Sequence, residues 1–131
     1  MQTRMHKVLG AIAITAMVSG CTEQVSYKDD VYPVLQNNCF VCHDGKGEGS
    51  QASGFMLLTY DDLMKGTKYG QVVKPGDSLS STLYLMIDHQ VDPSIQMPPH
   101  HGSAADGQMG PLSRDAIMTI KTWIDQGAKN N

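Results

Sequence analysis

What the 131-residue chain has little of already narrows its function. It has no basic stripe: ten Lys and Arg stand against 13 Asp and Glu, for a formal net charge of −3, and the aromatics, 6% of residues, are not interleaved with Lys or Arg. A nucleic-acid surface is thereby excluded. The chain also has no apolar run long enough to span a bilayer. Its longest, residues 8–18, holds eleven residues, whereas a spanning helix needs roughly 17–25. No alternating apolar and polar stretch of useful length is present, so no sheet is expected beyond a short bridge at residues 55–58 or at Val72 and Val73. Cysteine is scarce and odd in number, at three.

The short apolar run is informative for what flanks it. Arg4, His6 and Lys7 precede it, and Val18, Ser19 and Gly20 lead out of it to Cys21. A basic head, a short apolar core and a small-residue exit mark an export signal. The tetrapeptide Val18-Ser19-Gly20-Cys21 resembles a bacterial lipobox, in which the signal is cut before a cysteine whose sulfur has received a diacylglycerol. Cysteine counting agrees, because an exported chain in which Cys39 and Cys42 act as a pair has one thiol left over. Two or more acyl chains make a stable anchor, each buried methylene contributing about 0.8 kcal/mol. Residues 1–20 are therefore expected to be a removed signal, Cys21 the lipidated first residue, residues 21–28 a tether and residues 29–131 one domain. The expected location is the periplasm, on a bacterial membrane; Thr22 rather than Asp after the cysteine leans toward the outer membrane. Removing Arg4 and Lys7 from the ten basic residues leaves eight against 13 acidic ones, a net −5, which suits a partner with a basic docking patch.

Four helices are expected between loops rich in Gly, Pro and Ser. The first covers about residues 30–38, with Val31, Val34 and Leu35 on one face and Pro33 tolerated in the first turn. The second covers about 60–65, capped by Thr59 and closed by Gly66. The third follows Asp77 and Ser78 to about Ile87, carrying Leu79, Leu83, Met86 and Ile87 at helical spacing. The last is capped by Ser113, repeats Ile117, Ile120 and Ile124 beside Trp123, and ends at Gly127. The class is mainly α. Short helices and long loops leave little apolar material for a core, so something else is expected to fill the middle.

The stretch Cys39-Phe40-Val41-Cys42-His43 supplies the candidate. A thiol oxidoreductase would set its Cys-x-x-Cys at a helix start within a βαβ pattern, which is missing. Structural zinc takes four ligands, and no further cysteine is at hand, so His89, His100 and His101 would have to serve from far along the chain. Covalent haem attachment is the reading the residues favour, with a disulfide or zinc as the alternatives. Two intervening residues let one turn of backbone present both sulfurs to one haem edge, and the next position brings His43 beneath the iron. The Gly-rich residues 44–54 are then expected as a loop wrapping the cofactor.

The sixth iron ligand decides between electron carriage and small-molecule chemistry. Met64, Met86 and Met118 fall within expected helices, where methionine fills core gaps. Met97 stands instead in Gln96-Met97-Pro98-Pro99, where the prolines stiffen the chain and hold the residue before them extended. It is the candidate distal ligand; a buried hydrophobe in a rigid turn is the alternative.

The stretches DVYPVLQNNCFVCH, GFMLLTYDDLMKG, VVKPGDSLSSTLYLMI, QMPP and AIMTIKTWIDQGA, in this order, resemble the planctomycete-type cytochrome c domain, a small branch of the class I-like c-type cytochromes. The resemblance covers nearly all of the chain after Cys21. It implies a class I-like cytochrome c fold, mainly α, with about four short helices and long loops around one covalently bound haem c. It makes Cys39 and Cys42 the thioether positions, His43 the proximal ligand and Met97 the distal one. It also implies that the first and last helices cross near the haem edge, with Val34, Leu35, Ile120, Trp123 and Ile124 in the shared core. The expected function is a periplasmic, membrane-anchored mono-haem carrier of single electrons between redox partners, with no catalytic residue of its own. The alternative is a haem enzyme or gas sensor with a displaceable distal ligand, in which His89, His100 or His101 could stand in for Met97.

Overall fold

Ser26 starts the first helical segment by accepting the Asp29 amide on its hydroxyl (3.1 Å), while the Asp30 carboxylate reaches back to the Ser26 amide (2.7 Å). This reciprocal capping opens one wide π-helical turn, Tyr27–Val31, which runs on into α1, Tyr32–Asn38. The computed structural model describes residues 23–99 and 111–131. Five further α-helices lie within them: α2 (Phe40–His43), α3 (Glu48–Ser53), α4 (Tyr60–Lys65), α5 (Thr82–Ile87) and α6 (Arg114–Asp125). Short 3₁₀ turns at Ser78–Ser80 and Pro93–Ile95 complete the list. No strand occurs among the described residues, and the isolated bridge joins Thr67 to Gly70 rather than either expected pair. The fold is mainly α, as expected.

Two helices stand where their caps place them. Thr59 accepts the Asp62 amide (3.1 Å) to open α4, and Ser113 accepts the Ala116 amide (3.2 Å) to open α6. The third expected helix is broken. Ser81 is held extended, because its hydroxyl takes the Lys74 amide (2.8 Å) and donates to the Asp77 carbonyl (2.8 Å), so the 3₁₀ turn and α5 meet at a kink. Residues 44–54, expected as a wrapping loop, fold partly into α3. The Asp44 carboxylate accepts the Lys46 and Gly47 amides (2.8 and 2.7 Å) ahead of it, and Gly54 ends it in the left-handed region at φ 71°.

Val31, Leu35, Leu57, Leu63, Ile120, Trp123 and Ile124 form the deepest part of the core. Val34, expected among them, is only partly buried and packs on its edge. The last helix meets the first segment mainly through the Tyr27–Val31 turn. There the Tyr27 ring lies 5.6 Å from that of Trp123, and the Tyr60 ring 5.2 Å from that of Tyr27.

Residues 23–28, most of the expected tether, are bonded to the end of the chain. Gln126 accepts the Val25 amide (2.7 Å) and donates to the Glu23 carbonyl (3.0 Å). Asn131 accepts the Tyr27 amide on its side chain (2.9 Å) and the Lys28 amide on its main-chain carbonyl (3.0 Å). Among the described residues, no helix is long and apolar enough to cross a membrane. Cys21, the rest of the leader, and His100, His101 and Met109 lie outside the described residues.

Candidate haem site

The Cys-x-x-Cys-His stretch folds as one turn. Cys39 ends α1, its amide bonding the Leu35 carbonyl (2.8 Å), and its own carbonyl then accepts the Cys42 and His43 amides (3.2 and 3.0 Å) to begin α2. The two positions between the cysteines part company. Phe40 turns inward, edge-on to Tyr32 with centroids 5.5 Å apart, while Val41 is 69% exposed.

Both cysteines and His43 line one almost wholly apolar cavity of about 120 Å³. Leu83, Met86 and Ile87 of α5, together with Met97, Pro98 and Pro99, line it as well. The structure thus brings Met97 to the same cavity as His43, although 54 positions separate them along the chain. The Met97 amide donates to the Met86 carbonyl (3.2 Å), which ties the Pro-containing loop to α5. Gln96 fastens it further by donating to the Val91 carbonyl (3.1 Å). Of the other candidates, Met64 is partly buried in the core and Met118 is exposed on α6, and neither lines the cavity; nor does His89, which follows α5.

His43 is fixed by a backbone group. Its Nδ1 lies 3.1 Å from the Phe55 carbonyl oxygen, an atom that can only accept, so Nδ1 carries the proton and Nε2 keeps its lone pair. A hydrogen bond from Nδ1–H to a carbonyl makes an imidazole a better ligand through Nε2. The Phe55 ring stands edge-on to the imidazole, 5.4 Å away.

Two glycines let α3 close over this turn. A Cβ on Gly47 would lie 2.6 Å from the Cys42 carbonyl oxygen, and one on Gly49 would lie 2.6 Å from Cε1 and 2.7 Å from Nε2 of His43. Neither distance is tolerable, so these positions admit only glycine without a shift of the haem-motif backbone or the imidazole. In the sequence alone both read as loop formers. Nor does the sequence mark Phe55, whose role rests on its carbonyl and leaves no trace in side-chain type, or Ser50 of α3, which is buried and donates to that carbonyl.

The thiols do not suit redox exchange. Burial, and secondarily Cys42, push the Cys39 thiol up to about 12, whereas a reactive Cys-x-x-Cys needs a depressed value. The donors that structural zinc requires are not gathered among the described residues either. Two thiols one turn apart, an imidazole with Nε2 available and a thioether on the same apolar cavity do fit haem c: the cysteines for its covalent bonds, His43 and Met97 for its iron.

A small mainly α domain carrying such a donor set has the build of a c-type cytochrome. The family comparison agrees: residues 39–101 match the model described as Planctomycete cytochrome C, which is consistent with a cytochrome c domain, a class that holds haem c covalently and transfers electrons through it. The matched segment contains Cys39, Cys42, His43 and Met97 and stops short of α6. No curated protein and no solved structure matches the chain.

Proposed function

We propose that the protein is a periplasmic, lipid-anchored electron carrier with a single haem, bound through Cys39 and Cys42 and ligated by His43 and Met97. The observation that carries this reading is the shared cavity, which gathers the two thiols, the imidazole and the thioethers of Met86 and Met97 from distant parts of the chain, Met97 being the one set in a stiff loop. The haem supplies a one-electron iron couple when bound. The protein's part is to orient and to exclude water: the Phe55 carbonyl sets the His43 ring, the Met86 carbonyl holds the Met97 loop, and the apolar walls keep the iron's surroundings dry. A thioether ligand raises the potential, and burial adjusts it. Val41, exposed between the two cysteines, offers an apolar spot next to the haem attachment, and the acidic excess of the chain favours a redox partner with a basic patch.

Covalent attachment has a direct test. The purified protein is expected to keep its colour on a denaturing gel and in acid acetone, and Cys39→Ala or Cys42→Ala to impair attachment. Complete loss of colour from the unaltered protein in acid acetone, which strips non-covalent haem, would refute the reading.

The anchor is tested separately. Cys21→Ser should move the protein from the membrane to the soluble periplasmic fraction, because neither acyl chains nor a spanning helix would then hold it. Unaltered protein recovered in soluble form without detergent counts against the lipid.

A further inference from the structure

We propose that Ser50 is a positioning residue for His43 that raises the reduction potential by competing for the carbonyl to which His43 is bonded; this rests on the haem reading above. The Phe55 carbonyl oxygen accepts two hydrogen bonds, one from His43 Nδ1 (3.1 Å) and one from the Ser50 hydroxyl (2.9 Å). A carbonyl has two lone pairs, and here both are engaged. Two donors draw on the same electron density, so each bond is weaker than it would be alone. The Ser50 oxygen in turn accepts the Gly45 amide (2.9 Å), which polarises the hydroxyl and strengthens it as a donor. Ser50 is buried, 6% exposed, so water does not replace it freely.

The strength of the Nδ1–H bond governs how much electron density the imidazole carries at Nε2, and hydrogen bonding of this kind to a ligand is a lever on the metal. A stronger bond makes His43 a better donor, favours the oxidised iron and lowers the potential. By occupying half of the Phe55 acceptor, Ser50 restrains that bond and leaves the imidazole a poorer donor. Its effect then has the same sign as that of the thioether of Met97. A purely structural role predicts the opposite: a hydroxyl that only held the Phe55 carbonyl in place would, on removal, let the His43 bond lengthen and the potential rise.

The test uses haem-loaded protein carrying Ser50→Ala, with the midpoint potential read by spectroelectrochemical titration and the His43 Nδ1–H proton followed by NMR in the reduced state. The potential should fall and the proton resonance move downfield, as it does when a hydrogen bond strengthens. Ser50→Cys, whose thiol is a weak donor, should shift both in the same direction by less, and it carries the test if the alanine variant does not accumulate. A haem-loaded variant whose potential is unchanged or higher overturns the role of Ser50 alone. A parent protein without covalent haem overturns the reading on which it rests.

Discussion

Trp123→Ala is expected to destabilise the protein by about 3–5 kcal/mol, the range for deleting a large aromatic from a packed core. The side chain is 1% exposed and sits where the first helical segment, α4 and α6 converge. Its ring lies 5.6 Å from that of Tyr27 and 6.4 Å, nearly perpendicular, from that of Tyr60, so truncation opens a void with aromatic walls that cannot readily collapse. Its Nε1 also donates to the Lys129 carbonyl (2.8 Å), an acceptor left without this donor by the substitution. Denaturant unfolding of the haem-loaded variant, compared with that of the parent, reads the loss, because any iron–ligand term is common to both. Met118→Ala, on the exposed side of the same helix, should fall within about 0.5 kcal/mol of the parent. A Trp123→Ala loss no larger than that of Met118→Ala would refute the assignment of Trp123 to the core.

Met97→Ala is expected to open the haem iron to carbon monoxide, abolish the weak thioether-to-iron absorption at the red end of the visible spectrum, and lower the reduction potential. Thioether ligation favours the reduced metal, so its loss shifts the balance toward the oxidised form. The loop should survive the change, because it is held by the Met97 amide on the Met86 carbonyl and by Gln96 on Val91, neither of which uses the thioether. Met118→Ala should leave all three properties unchanged. An unaltered protein that already binds carbon monoxide without displacing a ligand would favour a sensor or enzyme. One with two histidines on iron would remove Met97 from the site while leaving a lower-potential carrier in place.

The parts of the fold that were legible in the sequence are those whose signals are local. Thr59 and Asp62 with Gly66 bracket α4, and Ser113 with Gly127 brackets α6, because a cap and its target lie within one turn. α3 is not legible in the sequence because Gly47 and Gly49 read as breakers, when their reason is the approach of Cys42 and His43 from a neighbouring turn. The kink at Ser81 depends on Lys74 and Asp77, partners that helical periodicity does not reveal. The site divides in the same way. Cys39, Cys42 and His43 announce themselves by spacing, and Met97 by the prolines that stiffen its loop. Phe55 works through a main-chain oxygen, a group every residue has, so nothing in its identity marked it.

The bonds joining residues 23–28 to Gln126 and Asn131 span sequence separations of 101 to 106. Closing a loop of that length costs on the order of 4 kcal/mol of chain entropy before any contact offsets it. These bonds therefore belong to the slow, non-local end of folding. The haem-holding segment is of the other kind: Cys39 bonds His43, His43 bonds Phe55 twelve residues on, and the Leu57 amide returns to the His43 carbonyl (2.9 Å). That segment's own bonds are all local, so its turn does not depend on the long-range bonds that join the ends of the domain.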